Sequence, residues 1–133
     1  MNRYLFVLLC LLVFSFLSAN GAIASVYHYH VKVVESSSGY QTPEVHSNLT
    51  FQQASDLINQ NYGTPIANAA NVFSNPPEQF TLYTNANGKT DIADEDQASY
   101  AVVTSKSGYN TVYYNMSTNP SKYAAAIVRL YKP

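Results

Sequence analysis

Tryptophan is absent from this chain, and cysteine occurs once, at Cys10, inside an apolar N-terminal run. One cysteine closes no intramolecular disulfide, so the fold has to rest on packing alone. That suits a bacterial envelope or secreted protein better than a disulfide-stapled eukaryotic extracellular module. Charge is sparse too, with 7 Lys and Arg against 8 Asp and Glu. No Lys/Arg cluster is present to hold a phosphate backbone or an anionic bilayer, which argues against nucleic-acid partners and electrostatic membrane docking. No apolar run after Leu17 approaches the ~20 residues that a membrane-spanning helix needs. Catalytic signatures are equally scarce: there is no Gly-x-Ser-x-Gly, and Asp91, Asp94, Glu95 and Asp96 do not fall at calcium-loop spacing. An enzyme is the less favoured reading.

The apolar N-terminal run has its own explanation. Arg3 supplies a positive start, Leu5 to Leu17 an apolar centre, and Ala22-Ile23-Ala24 a small-residue end. Residues 1–24 therefore read as a secretory signal cleaved after Ala24. This predicts a secreted or periplasmic protein whose mature chain, residues 25–133, is cysteine-free, forms a single small α+β domain and has no membrane attachment.

What is abundant is tyrosine, with 12 in the chain. Two tyrosines sit in a repeated turn pattern, Ser36-Ser37-Ser38-Gly39-Tyr40-Gln41-Thr42 and Ser105-Lys106-Ser107-Gly108-Tyr109-Asn110-Thr111. Each copy is flanked by runs rich in Val and Tyr, which reads as two hairpins built on one kind of turn. In the first, Val26 to Glu35 alternates with Tyr27, Tyr29, Val31 and Val33 on one face and His28, His30 and Lys32 on the other. Centring its turn on Ser38 sets Val31 opposite Val45, Lys32 opposite Glu44 and His30 opposite His46. In the second, centring on Ser107 sets Val102 opposite Val112 and Tyr100 opposite Tyr114.

Between the hairpins, Thr50 and Gln53 form a capping box ahead of a stripe made by Phe51, Ala54, Leu57 and Ile58, which predicts a helix. Thr64-Pro65 looks like a second helix start, with Ile66, Ala69, Ala70 and Phe73 at helical spacing. Phe80–Asn85 and Lys89–Ala93 read as strands joined by a type I′ turn at Asn87-Gly88. Tyr123–Tyr131 fits either a helix or a closing strand, and its β-branched Ile127-Val128 favours the strand. The expected fold is α+β: an antiparallel sheet of five or six strands in the order hairpin, helical segment, meander, with one or two helices on one face.

Two candidate sites follow. The histidines His28, His30 and His46, with Glu44, fall on the polar face of the expected first hairpin, an arrangement able to hold zinc or copper. His28-Tyr29-His30 with Glu35 resembles the opening of the first cupin motif, but the cupin's leading glycine and second histidine motif are missing and no family is assigned. Tyr40 and Tyr109, just after the turn glycines, and Tyr113, pointing away from the expected core, are candidate ligand contacts. The leading expectation is an exported binding module for a protein or glycan partner without chemistry of its own. The alternatives are a three-histidine metal-binding protein and a structural component of the cell envelope.

Overall fold

The computed structural model describes residues 26–133, without the side chains of Ala93 and Asp94. The signal reading of residues 1–24 and its cleavage site lie outside the described residues, as does Cys10. The chain as a whole is not cysteine-free, since Cys10 belongs to it; that description holds only for residues 25–133 taken alone.

The elements are β1 (Tyr27–Glu35), β2 (Glu44–Leu49), α1 (Phe51–Asn59), β3 (Ala70–Asn75), β4 (Glu78–Tyr83), β5 (Lys89–Glu95), β6 (Ser99–Ser105), β7 (Val112–Ser117) and β8 (Tyr123–Leu130). The expected single sheet of five or six strands is corrected to two sheets of four, in the orders β2-β8-β1-β5 and β4-β3-β6-β7. Among the described residues, the α+β class with one helix stands. Inward residues of both sheets meet in one core, where Tyr29 of β1 packs edge-on to Tyr100 of β6 at 5.2 Å between ring centres and tilts toward Phe73 of β3 at 6.4 Å. Phe80 stacks on Phe73 at 5.3 Å. Tilted and offset ring pairs of this kind add roughly 0.5–1.5 kcal/mol each beyond the area they bury.

The first expected hairpin does not form, because β8 lies between its arms. β8 runs parallel to β1 and antiparallel to β2, with Ala125 beside both His30 and His46, Ala126 beside Val31 and Val45, and Ile127 beside Lys32 and Glu44. The predicted alignment of β1 with β2 is therefore kept, one strand apart. β8 takes the place because it is apolar on both faces: Ala124, Ala125, Ala126, Ile127, Val128 and Leu130 are all buried. Such a run is satisfied only at the centre of a sheet covered on both sides. One cover is the second sheet and the other is α1, whose Ile58 packs on Ala125 and Ile127 in a smaller apolar cluster with Leu49, Leu57 and Tyr62. The capping box at α1 forms as its sequence predicts: Gln53 N–H donates to Thr50 Oγ1 at 3.1 Å and Thr50 N–H donates to Gln53 Oε1 at 2.9 Å.

The second helix is replaced by a connection and strand β3. Thr64–Ile66 carries on where β5 leaves off beside β1: Glu35 N–H donates to Thr64 O at 2.8 Å and Ile66 N–H to Val33 O at 3.0 Å. Asn68 then turns left-handed at φ 59°, and the buried Thr84 hydroxyl accepts from Ala69 N–H at 2.9 Å and donates to Ile66 O at 2.6 Å. These extended-chain bonds use the backbone groups that a helix would need.

The Asn87-Gly88 turn also differs from expectation. Only Gly88 has positive φ, at 73°, so it is not type I′, and it carries the chain from β4 in one sheet to β5 in the other. In the second hairpin, β6 and β7 do pair, but with Val102 opposite Tyr114 and Tyr100 opposite Met116. The slip is even, so every side chain keeps its predicted face.

Candidate functional site

The insertion of β8 decides the histidine face. His30 and His46 flank Ala125 from opposite sides, which sets their backbones about 10 Å apart at two strand spacings. His28 and His30 both stack on Tyr123, at 4.7 and 6.4 Å between ring centres, His30 Nδ1 is 2.7 Å from Asp91 Oδ1, and His46 Nε2 is 4.0 Å from Glu44 Oε2. Glu44 Oε1 in turn takes a bond from Arg129 at 3.1 Å. Lys32, expected opposite Glu44, instead lies buried under the end of α1, with Nζ 3.4 Å from the carbonyls of Ile58 and Gln60. That burial, with Lys89 nearby, lowers the pKa of its ammonium. Among the described residues no group of three or more His, Cys, Asp or Glu is placed to hold a metal ion.

The repeated turns behave differently. Both keep the left-handed glycine that the pattern requires, Gly39 at φ 80° and Gly108 at φ 88°. They arrive at the same end of the sandwich and together line a cleft of about 270 Å³, with Glu35, Ser36, Ser37 and Gly39 from the first and Tyr109 from the second. Leu130, Tyr131 and Lys132, just after β8, close it. The Tyr109 hydroxyl donates to Glu35 Oε1, and that bond, with some loss of hydration, raises the phenol's pKa. Lys132 Nζ sits 5.3 Å above the Tyr109 ring. The two segments are tied by Asn110, whose N–H donates to Tyr131 O at 2.9 Å and whose Oδ1 accepts from Tyr131 N–H at 2.8 Å. A carboxylate, an ammonium, an aromatic ring and hydroxyls thus converge, which is equipment for holding a polar ligand.

Of the three tyrosines singled out from sequence, only Tyr109 lines this cleft. Tyr40 projects from the first turn, 61% exposed, and Tyr113, 74% exposed, stands on the outer face of the second sheet. Sequence reasoning named Glu35 only in the cupin-like pattern and missed Tyr131 and Lys132, because nothing local says that the stretch after β8 passes between the turns.

Among the described residues, no helix packs on the outer face of the second sheet and no charged side chain of its four strands points outward. One row across it reads Thr81, Val72, Val103, Tyr113, and the next reads Gln79, Ser74, Ala101, Asn115. Tyr83, 64% exposed, occupies a corner beside Ala70. The sole charged residue in these four strands is Glu78, which faces inward, whereas Lys32, Glu35, Glu44, Lys89, Asp91 and Arg129 all belong to the first sheet. Alternation in β4, β6 and β7 signals this face, but their assembly side by side does not show in sequence.

At the end opposite the cleft, Tyr100 Oη lies 3.1 Å from Glu78 Oε1 and 3.2 Å from Glu95 Oε2. Partial burial, followed by the proximity of Glu78, raises the pKa of Glu95. Burial also pushes up the phenols of Tyr29, Tyr100 and Tyr114. Among the described residues no helix is long and apolar enough to cross a membrane. No family model matches the chain, and neither a curated protein nor a solved structure matches it.

Proposed function

We propose that this chain is an exported, non-catalytic module that binds a protein or glycan partner at the end of the sandwich where the two Ser-x-Ser-Gly-Tyr turns meet. One observation carries the reading: two copies of a turn, far apart in sequence, line the same cleft with Tyr109, Glu35 and Lys132 converging on it. Loops held by a rigid sheet scaffold are where binding groups concentrate, since they change without disturbing the core. Export is supported by the leader pattern of residues 1–24.

The test compares Tyr40→Ala and Tyr109→Ala with the parent chain, using a glycan array and pulldown from extracellular and cell-surface fractions. Tyr40 is exposed, so Tyr40→Ala should move Tm by no more than about 4 °C. Tyr109 is half-buried against the core and bonded to Glu35, so Tyr109→Ala should lower Tm further and is assayed at a temperature where it is folded by circular dichroism. Loss of the bound partner in folded Tyr109→Ala is the expected result. Partner binding that persists in both variants would remove the turn-directed reading.

A further inference from the structure

The bare face of the second sheet is a different surface from the cleft, and its chemistry is unusual for a solvent-facing sheet. Exposed strands commonly carry charges, which keep edges from pairing and surfaces from associating. Here β3, β4, β6 and β7 present Tyr, Val, Thr, Ser, Gln and Asn outward and hold their one carboxylate, Glu78, inside. A shallow depression of about 350 Å³ crosses the end of this face, lined in part by Ser74, Ala101, Asn115 and Ser117, and no residue lining it is charged.

The geometry points to this face as a docking surface for an extended neutral polysaccharide. The inference goes beyond the cleft reading and does not rest on it. Neutral sugars offer two kinds of surface: C–H faces of partial positive charge and rims of hydroxyls. The negative faces of exposed phenol rings accept the first. Amide and hydroxyl side chains, which both donate and accept, match the second. Tyr83 and Tyr113 stand on opposite edge strands with three strand spacings between them, roughly 14 Å across, so a ligand touching both must be extended rather than a single sugar. An acidic polymer or a nucleic acid would need cations that the face does not have.

A second copy of the chain fits less well. A stable protein interface centres on packed apolar or aromatic anchors. The centre of this face offers only Val72 and Val103 beside Ala101 and Ser74.

Asn115-Met116-Ser117 on this face fits the N-glycosylation pattern, so the experiment expresses the full chain in a bacterial host that does not modify Asn115. Adsorption of the purified protein is measured on microcrystalline cellulose and chitin, with polygalacturonate as an acidic control. We expect saturable binding to at least one neutral polymer and none to polygalacturonate. Binding should persist in about 1 M NaCl, where screening shortens to ~3 Å. The Tyr83→Ala/Tyr113→Ala double variant should bind at least about tenfold more weakly at unchanged Tm, and Tyr109→Ala should bind like the parent. Failure to bind either neutral polymer overturns the inference, as does binding that survives the double variant or is lost in salt. Loss in Tyr109→Ala alone would move the ligand to the cleft. A concentration-dependent dimer in sedimentation, dissolved by the double variant, would give the face to a second copy instead.

Discussion

Tyr100 has one hydroxyl proton and two carboxylates within reach, Glu78 at 3.1 Å and Glu95 at 3.2 Å. A single O–H donates to one acceptor at a time, so a second favourable contact needs a proton on one of the carboxyl groups. Burial of Glu95, followed by its contact with Glu78, outweighs the Tyr100 O–H bond that favours the carboxylate, so the folded state raises the pKa of Glu95. For a group raised in the folded state, the stabilisation is complete below the unfolded value of about 4.3 and is lost as pH climbs through the folded value. Near neutrality Glu95 is a liability. Glu95→Gln keeps an acceptor for Tyr100 and adds a donor for Glu78, so it should be more stable than the parent at pH 7. The gain should stay below about 1 kcal/mol because water screens this half-exposed site. Urea unfolding at pH 7 and below pH ~4 checks it: the two proteins should converge in acid, and a less stable variant at pH 7 would contradict the shared-proton account.

Among the elements, the crossing from β4 to β5 depends on Gly88. Its carbonyl accepts from Val33 N–H at 2.8 Å, and a Cβ there would collide with the Val33 carbonyl oxygen and crowd Pro65 Cβ at 3.1 Å. Gly39 also has positive φ, at 80°, but a Cβ there meets nothing within 4 Å. Gly88→Ala should therefore cost about 2–4 kcal/mol and Gly39→Ala only about 1 kcal/mol, the backbone penalty alone. Denaturant midpoints measure the difference, and equal losses would show that φ, and not crowding, sets the cost. Local chemistry was sufficient for some elements and misleading for others. The Thr50/Gln53 box and its apolar stripe announce α1, because cap, stripe and stop all lie within one short stretch. The stripe Ile66, Ala69, Ala70, Phe73 looked helical because an apolar turn followed by a strand places buried groups at similar intervals. Its Thr64–Ile66 backbone is committed to β1, a partner far away in sequence.

For the molecule as a whole, β8 is the element on which the first sheet depends. It is the neighbour of both β1 and β2, and its buried residues reach the main core and the small cluster under α1. Ending the chain at Ser121 should abolish the cooperative unfolding transition, because β1 and β2 lose their common neighbour and α1 loses the surface it covers. Circular dichroism during urea titration tests this; a truncated chain that still unfolds cooperatively would show that β1 and β2 can close the gap. The same strand explains why the histidine face reads well in register and poorly in distance. Its consequence is that His46 lies across β8 from His28 and His30, which both stack on Tyr123, while Leu130, Tyr131 and Lys132 complete the cleft between the two turns.

Although Lys32, on the expected polar face of β1, is buried under α1, local sequence was enough to set the alternating faces of β1, β6 and β7, the turn glycines and the start of α1. Each of these depends on side-chain alternation or on bonds between close neighbours in the chain. Which strands lie side by side, their division into two sheets and the gathering of almost all the strand charge in one of them depend on contacts between residues far apart in the chain. Alternation specifies a face but no partner. Burial of β8 on both sides made the choice of neighbour, and it required α1 and the second sheet to be in place at once.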